Sequence, residues 1–148
     1  MRIYMDLKRS FTVILLFILL SSYLGATDGC NSDIWKILLK VKYSFIGDKY
    51  KPSFSDQLKA LDHKKITISG YMYPLDEAKT QQYFMLSYYP IKVCFFCGGA
   101  GPESIIEVNT KKPIKLTTKK IKFTGTLRLN PDDPDRMFFI LLDAEQVK

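Results

Sequence analysis

Past residue 64 the chain alternates apolar and polar positions with a period of two. In Lys65-Ile66-Thr67-Ile68-Ser69-Gly70-Tyr71-Met72-Tyr73, Ile66, Ile68 and Met72 alternate with polar or amphipathic neighbours, as a half-buried strand requires, and Pro74 ends the run. The same pattern predicts strands over Tyr83 to Ser87, Ser104 to Asn109 and Phe138 to Asp143. Lys119 to Leu129 is the clearest, with Ile121, Phe123, Leu127 and Leu129 inward and Lys120, Lys122, Thr126 and Arg128 outward. Asn130-Pro131-Asp132-Asp133-Pro134 is turn chemistry ahead of the last strand. Gly70 and Gly125 fall inside long strands, where glycine marks a bulge or a sharp bend. Before this region the period is helical. Ser32 is placed to cap a helix running through Leu39, with Ile34, Leu38 and Val41 on one face. Ser53 is placed to cap a second helix ending at Leu61, with Phe54, Leu58 and Leu61 aligned. Five short, bent strands without crossover helices predict a mainly β fold, a small OB-like five-stranded barrel with an N-terminal helical segment; an open β-sandwich is the alternative.

The first 26 residues follow a different logic. Arg2, Lys8 and Arg9 precede an apolar run from Phe11 to Leu20, and small residues follow to Ala26, the layout of a secretory signal. The run is short of the roughly 20 residues that span a bilayer, although an uncleaved anchor reaching Ala26 is the second reading. Cys30, after Ala26-Thr27-Asp28-Gly29, is either a lipidation site, with cleavage directly before it, or a free thiol near a terminus cut after Ala26. The organisation expected is therefore residues 1–26 as signal or N-terminal anchor, and residues 31–148 as a single OB-like domain. The protein is expected to be exported, periplasmic or tethered to a membrane by lipid or by its N-terminal anchor.

Composition changes this picture little. Aromatic residues make up 14% of the chain, which suits strands. The net charge is +7, and the first 26 residues supply +2 of it. Lys111, Lys112, Lys115, Lys119, Lys120 and Lys122 read first as a solvated face that blunts an edge strand, and second as an attraction for anionic headgroups. A basic barrel also invites a nucleic-acid reading, but export sets it aside. No Gly-x-Ser-x-Gly, phosphate loop or His-Glu-x-x-His occurs, and one histidine leaves little for a cysteine nucleophile, so no enzyme is expected.

The candidate chemistry sits in Cys94-Phe95-Phe96-Cys97-Gly98-Gly99-Ala100-Gly101-Pro102-Glu103. Two thiols three positions apart can reach one metal ion, and Gly98 lets the backbone turn through positive φ. Gly98, Gly101 and Pro102 are expected to shape the loop, with both glycines in conformations other residues resist. Zinc is the metal expected, with Glu103 as third ligand or supporting partner. It needs more donors than two thiols, and Glu107, His63, Asp132, Asp133 and Asp135, or a second copy of the chain, are the remaining candidates. Glu103 and Glu107 would share a face if both lay on one strand, and His63 reads foremost as a solvent-facing turn residue. Two other readings of Cys94 and Cys97 stay open: a disulfide-closed structural or interaction element, and a redox dithiol. The redox reading is third, because the glycine-rich flank starts no helix that would stabilise a thiolate and Lys92 is the nearest cation.

Gly70-Tyr71-Met72-Tyr73-Pro74-Leu75, the cysteine segment with Gly101-Pro102-Glu103, and Gly125-Thr126-Leu127-Arg128-Leu129-Asn130 together resemble the bacterial domain of unknown function 3299 family over roughly Trp35 to Glu145. That family consists of small exported proteins or lipoproteins without an assigned activity. Some members are encoded beside permease and ATPase components in zinc-responsive gene sets. The resemblance implies a role in envelope metal handling, with membrane transporter components as partners.

Overall fold

The computed structural model describes residues 34–93, 96 and 98–147. The chain divides into two units, Met1–Ser32 and Asp33–Lys148, and every described residue belongs to the second. The signal or anchor segment and Cys30 lie outside the described residues. Among the described residues no helix is long and apolar enough to cross a membrane.

The opening helix, α1 (Trp35–Leu38), is a single turn that buries Trp35 and Leu38 completely. Trp35 buries its ring and donates from Nε1 to the Ser69 carbonyl at 2.8 Å, which satisfies the one polar atom of that side chain and pins α1 to the barrel. Its first residue follows Ile34, which makes no side-chain cap; the expected cap, Ser32, lies outside the described residues. Next comes a hairpin that the sequence reading did not anticipate, β1 (Lys42–Ile46) and β2 (Lys49–Ser53). Gly47 and Asp48 turn it with φ of +55° and +61°, the left-handed pair that a two-residue hairpin loop requires. The second helix, α2 (Asp56–Lys59), is capped by Ser55, whose Oγ accepts from Leu58 N at 3.3 Å. Ser53, the expected cap, instead ends β2, so the helix starts later and is shorter than its apolar spacing suggested.

Five strands close the barrel: β3 (Lys65–Tyr73), β4 (Thr80–Ser87), β5 (Ile105–Lys115), β6 (Ile121–Leu129) and β7 (Phe139–Val147). Their order around the barrel is β3-β4-β5-β7-β6, with β6 returning to β3. All neighbours are antiparallel except β5 and β7, which run parallel. That is the connectivity of an OB-type barrel, the architecture expected from the alternation.

Both strand glycines do what their positions suggested. Gly70 lies where β3 leaves its pairing with β6 and takes up β4, and a Cβ there would sit 2.5 Å from the Ser87 carbonyl oxygen. Gly125 marks the register shift between β6 and β7, where a Cβ would meet the Leu142 carbonyl at 2.7 Å. The core is built by the inward positions of the alternation, Ile68 and Met72 on β3 and Phe123 and Leu127 on β6, closed by Phe84 and Phe139. β5 and β7 run further than the alternation indicated, to Lys115 and Val147. Their last residues lie mostly beyond the core, so no burial imposed an apolar period on them.

Candidate functional site

The segment joining β4 to β5 is held to the barrel from both ends. Tyr88 N donates to the Ser104 carbonyl at 2.9 Å, and Tyr89 N donates to Ser87 Oγ at 3.2 Å. A short 3-10 turn, Ile91–Val93, leads into the cysteine loop, and a second, Pro102–Ser104, leads out of it. Cys94 and Cys97 lie outside the described residues. The chain departs at Val93 and returns at Gly99 so closely that a Cβ on Gly99 would sit 2.9 Å from the Val93 carbonyl oxygen. Phe96 stacks on Tyr73 at the end of β3, centroids 4.7 Å apart and planes at 30°.

The two loop glycines act differently. Gly98 has φ of +72° with open space around it, so its requirement is conformational, as expected. Gly101 has φ of −87° and ψ of 171°, extended backbone that any residue adopts, which corrects the expectation of an unusual conformation. A side chain is excluded there for another reason: the Glu103 carboxylate folds back over Gly101 and fills the place a Cβ would take. Pro102 is buried at the first position of the second 3-10 turn, where its missing N–H costs nothing, and Ser104 closes that turn by donating from Oγ to the Gly101 carbonyl at 2.7 Å.

Glu103 carries an unusual atom. Its Oε2 is buried and has no hydrogen-bond partner among the described residues. Such an atom ordinarily finds one, so this one asks for an explanation. The same carboxylate reaches the hydroxyl of Tyr43 on β1. Partial burial of that phenol, then its hydrogen bond to Glu103 and the nearby negative charge, push the Tyr43 pKa up to about 12. Tyr43 was not anticipated as a neighbour of the loop. The readable signal was Gly47-Asp48 between Tyr-Ser-Phe-Ile and Lys-Tyr-Lys, a hairpin turn flanked by alternating aromatics.

The other acids and the histidine are placed elsewhere in the fold. Glu107 is 1% exposed on β5 and is fully engaged. Its Oε2 accepts from Tyr83 Oη at 2.9 Å and from Arg136 Nε and Nη2 at 3.0 and 2.6 Å, while Oε1 accepts from Met137 N at 2.6 Å. This network ties the β6–β7 turn to β4 and β5. Burial and the hydrogen bond to Glu107 raise the Tyr83 pKa, and the same carboxylate raises that of Arg136. Glu103 lies on a 3-10 turn and Glu107 on a strand, so the shared strand face expected for them does not form. His63 is the exposed turn residue that was expected, with φ of +60° and Nε2 3.6 Å from Asp62 Oδ2. The turn bearing Asp132, Asp133 and Asp135 is organised by Asn130, whose Nδ2 donates to the carbonyls of Asp133, Arg136 and Met137 at 2.7, 3.3 and 3.2 Å. Among the described residues no three His, Cys, Asp or Glu side chains gather into a metal-binding group.

The fold and the loop thus define a small OB-type β-barrel with a cysteine-bearing loop between its second and third strands. No family model matches the chain, and no curated protein does. Among solved structures it is similar to the crystal structure of a DUF3299 family protein from Pseudomonas aeruginosa PAO1, with 18% sequence identity and a TM-score of 0.48, over 66% of this chain and 68% of that one. The likeness is to the same family that the cysteine segment resembles.

Proposed function

We propose that this chain is an exported accessory protein of envelope metal handling that binds a divalent ion, zinc first, through Cys94, Cys97 and Glu103. The observation that carries this reading is the buried Oε2 of Glu103 beside the cysteine loop, which has no partner among the described residues. A buried acceptor without a partner costs about 1–3 kcal/mol, more when charged, and a cation bound at the loop would remove that cost. Two thiolates and a carboxylate are a donor set suited to borderline zinc, and the ion would bind with release of the thiol protons. Gly98 and Gly101 give the loop its turn and its room for the carboxylate. Lipid at Cys30 or the N-terminal segment would keep the protein at the membrane, near transporter components that take or deliver the ion.

A second reading is favoured by the Tyr73–Phe96 stack and the Gly99–Val93 contact, which shape the loop with no ligand at all. In that reading the loop is a structural or interaction element and Cys94 and Cys97 are joined. Zinc content of the full chain purified under mildly reducing conditions, and the free-thiol count of the chain isolated without reductant, separate the two. About one zinc per chain or per pair of chains supports metal binding. Cys94→Ser and Cys97→Ser should each abolish it, and Glu103→Gln should weaken it by about 10-fold or more. No uptake at micromolar zinc, or a native Cys94–Cys97 disulfide, would overturn the proposal.

A further inference from the structure

Hairpin β1–β2 forms its own two-stranded sheet, separate from the barrel. Every residue of both strands is exposed except Pro52, which is half-buried. The register sorts the side chains onto two faces. Tyr43, Phe45, Tyr50 and Pro52 share one; Lys42, Ile46, Lys49 and Lys51 share the other with two serines. Phe45 and Ile46, next to the turn, are 61% and 65% exposed, the most exposed large apolar side chains described. The barrel core does not use them.

We propose that this hairpin is a finger that seats on an anionic lipid surface. Phe45 and Ile46 enter the boundary between headgroups and acyl chains. Tyr43 stays packed on Phe138 of the barrel, and Lys42, Lys49 and Lys51 meet the phosphates. Charge favours this occupant, since the hairpin carries three lysines against one acid of its own, Asp48, and Arg136 offsets part of Asp132 and Asp133 in the groove beside Lys49 and Lys51, on a chain of net charge +7. Chemistry favours it too: aromatic rings with polar tips, an aliphatic end and lysines that extend along apolar surface are the residues of membrane interfaces. Shape argues against a protein partner, because a twelve-residue ribbon turned at Gly47-Asp48 offers far less than the roughly 800 Å² per partner of a stable interface. Single-stranded nucleic acid is disfavoured because the rings pack on one another. Phe45 and Tyr50 lie 4.9 Å apart and tilted, and Tyr43 meets Tyr50 edge-on at 5.5 Å, so they form no open stacking platform.

The inference does not rest on the metal reading, and its test is local to the hairpin, so attachment of the chain through its N-terminal segment does not produce the signal. Phe45→Trp is introduced into the full chain, and its emission is read as a difference from the parent, whose Trp35 is buried. On vesicles of phosphatidylcholine with phosphatidylglycerol, the emission should shift to the blue and be quenched by brominated acyl chains. Each lysine near an anionic surface strengthens binding roughly five-fold, so adding Lys49→Glu and Lys51→Glu should weaken the response at least about ten-fold. Circular dichroism checks that each variant folds, and Ile46→Trp serves as the second reporter if Phe45→Trp does not. Unchanged emission overturns the proposal, as does an equal response on pure phosphatidylcholine. A blue shift that grows with protein concentration without lipid also overturns it, since the hairpin would then be a self-association face.

Discussion

Glu103 and Glu107 are four residues apart in the chain and opposite in circumstance. Glu107 is deeply buried, yet both its oxygens are used by Tyr83, Arg136 and Met137, partners from two other parts of the sequence. Glu103 is less buried as a residue, but its Oε2 has no partner among the described residues while its carboxylate presses over Gly101 and raises the pKa of Tyr43. Burial alone therefore does not separate a structural acid from a functional candidate. Satisfaction does. A carboxylate whose acceptors are filled holds the fold together, and Glu103, whose Oε2 finds no partner among the described residues, does not do so through that atom.

The contrast is open to direct measurement, and the largest effect belongs to Glu107. Glu107→Ala strips the acceptor from a tyrosine hydroxyl, a guanidinium and a backbone amide. Because Arg136 is partly exposed and can turn to water, a loss of about 3 kcal/mol, the low end for a broken buried pair, is expected in urea denaturation. Glu103→Ala should change stability by less than about 1 kcal/mol, because removal of an unpaired buried acceptor offsets the loss of the Tyr43 interaction. Equal losses for the two substitutions would break the comparison.

Gly98→Val comes next, with roughly 1–3 kcal/mol lost to a β-branched residue forced into positive φ. Gly101→Val sharpens the role of Glu103. Its backbone is unstrained and its clash is with the carboxylate, so the double variant Gly101→Val/Glu103→Ala should recover most of the loss, whereas Glu103→Ala should not rescue Gly98→Val. Additive losses at residue 101 would show that the Glu103 carboxylate does not fill that space.

The smallest effect is alkaline. Tyr43 has its pKa raised from 10.0 to about 12 in the fold, so the folded state holds the phenol proton more tightly than the unfolded chain. The associated stability is fully present below pH 10 and is lost as pH rises through about 12. Tyr43 is 38% exposed, and solvent screens much of this contribution. Melting temperature should fall across that window in the parent and fall less in Tyr43→Phe, and Glu103→Gln should lower the phenol's absorbance titration toward the ordinary value. A titration unmoved by Glu103→Gln would mean that burial alone raises it.

Much of the barrel was legible because burial writes itself into sequence with a period of two. Ile66, Ile68, Met72, Phe123 and Leu127 point inward as the alternation required, and Gly70 and Gly125 mark the two places where the sheet bends or slips. Hairpin β1–β2 was missed because all but one of its residues is exposed, so the short alternation of aromatic and polar positions around the Gly47-Asp48 turn matched no buried face of the barrel. At the candidate site, the spacing of Cys94 and Cys97 and the need for glycine at residue 98 came from the chain alone. The distinct reason for Gly101 did not, since a steric exclusion by a side chain two residues away leaves no mark that a conformational requirement would not also leave.

What the sequence determined by itself was local: alternation, turn chemistry, the cysteine spacing and the resemblance they carry. These depend on neighbours within a few residues, where propensity and periodicity act. Only the tertiary structure decided which acid is satisfied and which is not. Arg136 reaches Glu107 from 29 residues away, and the charge of Glu103 acts on Tyr43 of the hairpin from 60 positions along the chain, so only the tertiary fold brings such groups together. Hydrogen bonding acts over about 3 Å in space whatever the separation along the chain, and for that reason the partners of a buried charge are written in the fold.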